Sequence, residues 1–112
     1  MVLAVDIIES RVNYTQNNAK IYNVDHKIEF IVGDFLKINI KNADLVFLNP
    51  HWENAKENGK RFCIYTDITP NINEVLDRSY KIAKNIVLAL PKYCILDEII
   101  EIFSSFISRN NM

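Results

Sequence analysis

Four short apolar runs constrain the fold of this chain more than any other feature of its sequence. They occupy residues 2–5, 28–32, 45–48 and 85–90, and each is followed by a polar residue, a glycine or a proline. Continuous runs of Val, Ile and Leu, in contrast to alternating ones, are typical of strands that are buried on both faces of a parallel sheet. The sequence therefore predicts an α/β protein that is built on a parallel sheet.

Helical patterns lie between these runs, as the crossover connections of parallel strands require. Residues 10–24 predict the first helix, with Val12, Ala19 and Tyr22 as its core candidates. Thr69 is a candidate N-cap, with Pro70 at the first helical position. The helix that follows places one set of residues on a single face: Ile72, Val75, Leu76, Ser79, Ile82 and Ala83.

The last helix is predicted near the end of the chain, with Asp97 close to its start. Its apolar stripe consists of Ile95, Ile99, Ile102, Phe103 and Phe106, and it leaves Glu98 and Glu101 outside. This helix is expected to dock on the sheet. The alternation of strands and helices predicts a single domain over residues 1–112.

Composition and charge exclude several classes of protein. The chain has 13 Lys and Arg residues against 14 Asp and Glu residues, so it lacks the positive excess of proteins that coat long nucleic acids. No stretch reaches the roughly 18 apolar residues of a membrane span. Gly33 and Gly59 are the only glycines, so the sequence contains no Gly-rich phosphate or dinucleotide loop.

Cysteine and histidine spacing predicts neither a disulfide framework nor a metal site. Cys63, Cys94, His26 and His51 show none of the paired spacings that zinc ligands have. Acidic residues interrupt the apolar N-terminal run, so it does not resemble a secretion signal. We expect reduced thiols, no metal, and a nuclear or cytoplasmic protein that is not secreted.

The candidate site consists of the residues that follow the predicted strands, because open α/β sheets bind ligands beyond the carboxyl ends of their strands. Asp6 follows the first strand, Asp34 and Phe35 follow the second, and Asn-Pro-His-Trp at 49–52 follows the third. An acid in this position either accepts hydrogen bonds from both hydroxyls of a ribose or caps the next helix. The Asn-Pro pair is either a site or an ordinary strand exit, and Trp52 is either a ligand platform or a core aromatic residue.

Taken in order, these segments resemble the trimethylguanosine synthase family of class I, S-adenosylmethionine-dependent methyltransferases. The likeness extends from Leu3 to about Lys92. It rests on the segments 5–7, 16–22, 27–36, 43–48, 67–70, 84–87 and 90–92, which include Val-Asp-Ile, Gly-Asp-Phe and Thr-Pro. The resemblance implies a Rossmann-like parallel sheet that is flanked by helices.

The resemblance also implies an activity, which is methyl transfer from S-adenosylmethionine to the N2 amine of 7-methylguanosine-capped RNA. On the cofactor side, Asp6 would bind the ribose hydroxyls. Asp34 would accept a hydrogen bond from the adenine N6 amine, and Phe35 would pack beside the adenine ring.

On the RNA side, the resemblance implies that Asn49 and the Pro50 carbonyl hold the target amine. Trp52 would stack on the methylated guanine, whose positive charge favours an aromatic face. His51 lies beside this substrate site and stands where the family has a second proline. The family's following glycines are replaced by Glu53, Asn54 and Ala55, which predicts altered access for the cap.

The family's first strand, its glycine loop and its terminal strands have no counterpart in this sequence. We therefore expect a partial sheet of two half-sheets, weak or undetectable cofactor binding by the chain alone, and completion of the sheet by an upstream segment or a partner chain. Two alternatives stay open. One is a methyltransferase for another exocyclic amine of RNA or DNA, and the other is a non-catalytic remnant or binding module that a partner completes.

Overall fold

The computed structural model describes residues 1–52 and 62–110, except for the side chains of Trp52 and Asn110. The chain divides into two compact units, Met1–Asn39 and Ile40–Met112. Each unit contains one parallel strand pair with its own helices. That residues 1–112 act as one domain stays a prediction.

The first unit is a βαβ element. Strands β1 (Val2–Asp6) and β2 (Ile28–Val32) are parallel, and helix α1 (Glu9–Ile21) connects them, followed by a short 3₁₀ turn at Asp25–Lys27. Both predicted strands and the crossover helix are confirmed.

Two of the three core candidates on α1 are buried, and the third is not. Val12 and Ala19 are each 6% exposed, but Tyr22 is 78% exposed. The prediction that Tyr22 belongs to the core is wrong because α1 ends at Ile21, so Tyr22 leaves the helical periodicity on which the prediction depended.

The second unit contains strands β3 (Leu45–Leu48) and β6 (Asn85–Leu88), which are parallel, and helices α2 (Ile72–Ile82) and α3 (Leu96–Asn110). The two predicted strands are confirmed, with β6 ending two residues earlier than the apolar run. A second, antiparallel ladder joins β4 (His51–Trp52) to β5 (Ile68–Thr69). Neither β4 nor β5 was predicted.

Among the described elements of the second unit, helix α2 supplies the largest share of the core. All six residues of its predicted face are between 0% and 6% exposed, and these are Ile72, Val75, Leu76, Ser79, Ile82 and Ala83. The buried Ser79 hydroxyl donates to the Val75 carbonyl oxygen at 2.7 Å, which satisfies the only polar group on that face. On α3, Phe106 is 2% exposed, and its ring stacks on Tyr80 of α2 with centroids 5.7 Å apart.

The N-terminus of α2 differs from the prediction. The N-cap is Asn71, whose side chain accepts a hydrogen bond from the Asn73 backbone N–H at 2.9 Å. Thr69 lies in β5, where it pairs with His51, so it cannot cap the helix. The prediction of Thr69 as N-cap and Pro70 as first helical residue is therefore wrong.

The strands are not buried on both faces, so that expectation is also wrong. Phe47 and Val87 are register partners on one face of the β3–β6 sheet, and they are 63% and 44% exposed. Leu48 points to the opposite face and is 8% exposed. Burial alternates along β3 because the described residues cover only one face of the sheet.

The architecture is thus a small α/β protein with three helices and short parallel strands. Pairs β1–β2 and β3–β6 belong to different sheets, which agrees with the expected half-sheets. Across residues 1–52 and 62–110, no helix is long and apolar enough to cross a membrane.

Candidate functional site

The structure places Asp6 and Asp34 at the same edge of the first sheet. Asp6 is the last residue of β1 and pairs with Val32, the last residue of β2. The Gly33 N–H then donates to the Asp6 carbonyl oxygen at 2.9 Å, which extends the pairing by one position. The two acidic residues therefore leave the sheet next to each other at its carboxyl edge.

Both acidic side chains close local turns. Asp6 Oδ1 accepts from the Ile8 N–H at 2.9 Å, and Asp34 Oδ1 accepts from the Leu36 N–H at 2.9 Å. Asp6 thus orders the chain just before α1 but does not cap the helix, because the N-cap is Ile8 and no described side chain accepts a cap hydrogen bond there. A carboxylate offers about four lone-pair positions, so one backbone hydrogen bond fixes its orientation and leaves accepting capacity for a ligand.

The segment after Gly33 folds back closely over that glycine. The N–H groups of Lys37 and Ile38 donate to the Asp34 carbonyl oxygen at 2.9 and 3.0 Å. A Cβ atom on residue 33 would lie 2.9 Å from Ile38 Cγ2, which is too close for an undisturbed contact. Phe35 belongs to this turn and is half-buried. Glycine is therefore favoured here, because a larger residue would force Ile38 or the turn to shift.

The Asn-Pro-His-Trp motif begins where β3 ends. The Ala89 N–H donates to the Leu48 carbonyl oxygen at 2.8 Å, which is the last bond of the β3–β6 region before the motif. Asn49 and His51 are exposed, and Pro50 is half-buried. Asn49 thus directly follows the last residue of β3, and its side chain is accessible to a ligand.

The second half of the motif forms β4. His51 pairs with Thr69 and Trp52 pairs with Ile68 in the antiparallel ladder with β5. The Trp52 side chain lies outside the described residues, and so do the three departures at Glu53, Asn54 and Ala55. Stacking by Trp52 and altered access for the cap therefore stay predictions.

Sequence reasoning missed a polar cluster between the segment 62–67 and α3. Glu98 Oε1 accepts from the Ile64 N–H at 3.2 Å, and Glu98 Oε2 accepts from the Cys63 thiol at 3.2 Å. Glu98 lies outside the apolar stripe as predicted, but it is half-buried. The sequence carries no local signal for this contact, because the partners are 34 and 35 positions apart.

Tyr65 lies in the same segment and is bound to the same helix. Its hydroxyl donates to Glu101 Oε1 at 2.8 Å. Desolvation, this hydrogen bond and the negative charges of Glu101 and Glu98 together raise the pKa of Tyr65 to about 12. The neutral phenol is therefore the favoured form throughout the physiological pH range.

Within the described part of the chain, no three His, Cys, Asp or Glu side chains cluster in a way that could hold a metal ion.

A comparison with protein families gives one match. The family model described as RNA cap guanine-N2 methyltransferase matches residues 1–111. The match includes both compact units and every candidate site residue.

Proposed function

Because the chain belongs to the RNA cap guanine-N2 methyltransferase family, as its resemblance to trimethylguanosine synthases predicted, we propose that it uses S-adenosylmethionine to methylate the N2 amine of 7-methylguanosine-capped RNA. The family match over residues 1–111 is the observation that carries this proposal. It identifies a family of RNA cap guanine-N2 methyltransferases, whereas no observation on the described residues favours a different exocyclic amine or a non-catalytic remnant.

The carboxyl edge of the first sheet is the proposed adenosine site of a class I, Rossmann-like domain. Asp6 and Asp34 are half-buried acceptors, oriented by the 2.9 Å bonds from Ile8 and Leu36, and they fit the hydroxyl and amine donors of an adenosine. Asp6 would hold the ribose, Asp34 would accept from the adenine N6 amine, and Phe35 would pack against the ring. The bound cofactor supplies an electrophilic methyl group.

The strand exit after β3 is the proposed amine site. The Asn49 side-chain oxygen and the Pro50 carbonyl would each accept one of the two N–H bonds of the guanine N2 amine. Two acceptors in this arrangement direct the nitrogen lone pair towards the methyl carbon, so that positioning provides most of the rate enhancement. The exposure of Asn49 supports this role, because its amide is accessible to a ligand.

Trp52 and His51 form the proposed cap-binding side of the site. The methylated guanine is positively charged, and the face of a tryptophan attracts a cation more strongly than an aliphatic side chain does. His51 is exposed next to Asn49 and Pro50 and adds an ionisable ring to the substrate site.

Each described parallel sheet has two strands, so every one of these strands is an edge strand. This supports a further part of the proposal, namely that an upstream segment or a partner chain completes the sheet in the active enzyme. Capped RNA is found in the nucleus and the cytoplasm, and we propose that the protein acts in one or both of these compartments.

Methyl transfer from radiolabelled S-adenosylmethionine tests the proposal. The substrates are one RNA in three forms, with a 7-methylguanosine cap, an unmethylated guanosine cap or no cap, and a DNA of the same sequence. The cofactor is supplied in excess, because the chain alone is expected to bind it weakly. We expect label only in the 7-methylguanosine-capped RNA, and a mass gain at the cap guanine after nuclease digestion. Asn49→Ala should lower the rate about 100-fold, the typical cost of losing alignment at a reacting atom, whereas Asn42→Ala, an exposed asparagine before β3, should leave it unchanged.

Label in the uncapped RNA or in DNA would identify the other exocyclic-amine activity. A chain that binds 7-methylguanosine triphosphate but transfers no methyl group, even with cofactor in excess, would favour the binding module.

A further inference from the structure

We propose that Glu98 is a positioning residue for the cap-binding motif. In this proposal Glu98 fixes the segment 62–67, this segment fixes β5, and β5 fixes the backbone of His51 and Trp52 in β4. The identity of the ligand rests on the proposed function, whereas the chain of contacts does not.

The first step is the clamp between α3 and the segment 62–67. Both carboxylate oxygens of Glu98 are used, Oε1 by the Ile64 N–H and Oε2 by the Cys63 thiol, each at 3.2 Å. Hydrogen bonds to an ionised acceptor are stronger and more directional than neutral ones. Two such bonds to adjacent residues fix both the position and the rotation of this segment on the helix.

The second step is the rigidity of the segment itself. The Cys63 N–H donates to Asp67 Oδ2 at 2.8 Å, and the Asp67 N–H donates in return to the Cys63 carbonyl oxygen at 2.9 Å. Phe62 and Ile64 are both 0% exposed. This reciprocal pair closes a turn whose two apolar side chains are anchored in the core, so a displacement at Cys63 is transmitted to Asp67.

The third step leads from Asp67 to the motif. Asp67 directly precedes Ile68 and Thr69, the two residues of β5, and these pair with Trp52 and His51. A two-residue ladder is too short to hold its position without external support. The described support of β4 is β5, and β5 begins directly after Asp67, the residue that the Glu98-clamped turn holds.

The consequence concerns the alignment of a stacking platform. A cation–π contact requires the cation to lie over the ring face. A small shift of the strand therefore weakens this contact even though the Trp52 ring is still present. Glu98→Ala is therefore expected to weaken binding of 7-methylguanosine triphosphate about threefold, less than the roughly tenfold effect of losing the ring itself. A purely structural role for Glu98 would leave this affinity unchanged.

Trp52 is the only tryptophan in the chain, so its fluorescence reports on the motif alone. The experiment uses the full 112-residue protein with 7-methylguanosine triphosphate as the probe and unmethylated GTP as the control ligand. The wild type, Glu98→Ala, Glu98→Gln and Asp97→Ala are compared by emission maximum without ligand and by quenching on titration. Asp97 is the matched control, because it is an exposed carboxylate in the same first turn of α3.

We expect Glu98→Ala to shift the emission maximum and to lower the affinity about threefold. Glu98→Gln retains an acceptor for the Ile64 N–H and should restore most of the affinity, and Asp97→Ala should behave like the wild type. If Glu98→Ala loses its helical circular dichroism signal, Glu98→Asp replaces it. That variant keeps the charge on α3 but is one methylene too short to reach both donors, so it should lower the affinity too.

Unchanged emission and unchanged affinity in a folded Glu98→Ala or Glu98→Asp variant would overturn the proposal, and so would an equal loss in Asp97→Ala. A shifted emission maximum in Glu98→Ala, in a protein whose wild type does not bind the probe, would uphold the positioning role and count against the proposed function. Tight binding by the wild type with no change in any Glu98 variant would uphold the function and refute the positioning role.

Discussion

Replacement of Gly33 by alanine tests the geometry of the turn that carries Asp34. The added Cβ would lie 2.9 Å from Ile38 Cγ2, whereas two carbon atoms in good contact are about 3.5–4.0 Å apart. Relieving such an overlap in a packed site costs about 1–3 kcal/mol. Replacing a glycine also lowers the conformational entropy of the unfolded chain, which stabilises the folded state by about 0.4–1 kcal/mol. We therefore expect Gly33→Ala to destabilise the first unit by about 1–2 kcal/mol.

Native-state hydrogen exchange of the β1 and β2 amides is the suitable assay, because it measures opening of the first unit without a contribution from the second. Ile38→Ala removes Cγ2 and with it the overlap. In that background Gly33→Ala should stabilise the unit by about 0.4–1 kcal/mol, so the sign of the effect reverses. The same destabilisation in both backgrounds would refute the argument from close approach.

Trp52→Ala is expected to weaken binding of 7-methylguanosine triphosphate about tenfold, because a desolvated cation–π contact contributes about 2 kcal/mol or less. Calorimetric titration measures the loss of affinity, and circular dichroism is the control for folding. Asn71→Ala is expected to lower the free energy of unfolding by about 1 kcal/mol through loss of the N-cap of α2, and Thr69→Ala by less, as urea denaturation can measure. Tyr65 is expected to ionise near pH 12. Because the folded state favours the neutral phenol, its contribution to the free energy of unfolding is complete below pH 10 and is lost between pH 10 and pH 12. The difference in tyrosinate absorbance between the wild type and Tyr65→Phe follows this titration, and removal of Glu101 should lower its midpoint.

Each of these expectations has an outcome that contradicts it. A Trp52→Ala variant that unfolds would show that Trp52 is a core residue, and one that binds equally well would remove it from the cap site. Equal losses in Asn71→Ala and Thr69→Ala would contradict the assignment of the cap. Ionisation of Tyr65 together with the exposed tyrosines would show that its bond to Glu101 is not maintained in solution.

The parallel strands could be predicted because each is a run of apolar residues with a clear stop. The predicted runs 28–32 and 45–48 coincide with β2 and β3. The buried face of α2 could also be predicted residue by residue, since one helix that packs on a core must repeat its apolar positions every three or four residues. These features depend only on local periodicity.

The features that sequence reasoning missed depend on contacts between distant residues. Thr69 and Asn71 are both suitable caps, and only the pairing of Thr69 with His51 decides between them. Strands β4 and β5 have two residues each, which is too short for any periodic pattern. Glu98 is polar on an amphipathic helix, so its position indicates solvent until the segment 62–67 is placed against it.

At the candidate site, the sequence placed Asp6 and Asp34 beyond neighbouring strands, and the structure brings them to one sheet edge. It could not show that both carboxylates close turns, because Asx turns depend on the backbone conformation after the acid. The family assignment was available from the order of the segments, none of which is specific alone.

The strand pairing within each unit has a consequence for how the protein folds as it is synthesised. Val2 pairs with Ile28 and Leu45 pairs with Asn85, so the two parallel ladders close loops of 26 and 40 positions. Loop closure entropy grows slowly with length and separates these two by only about 0.4 kcal/mol. Thermodynamics thus gives neither ladder much priority, whereas translation delivers both strands of the first ladder before β3 leaves the ribosome. The sheet edge that carries Asp6 and Asp34, the proposed adenosine site, is therefore expected to form first, while the segments that hold the proposed cap-binding motif are still being made.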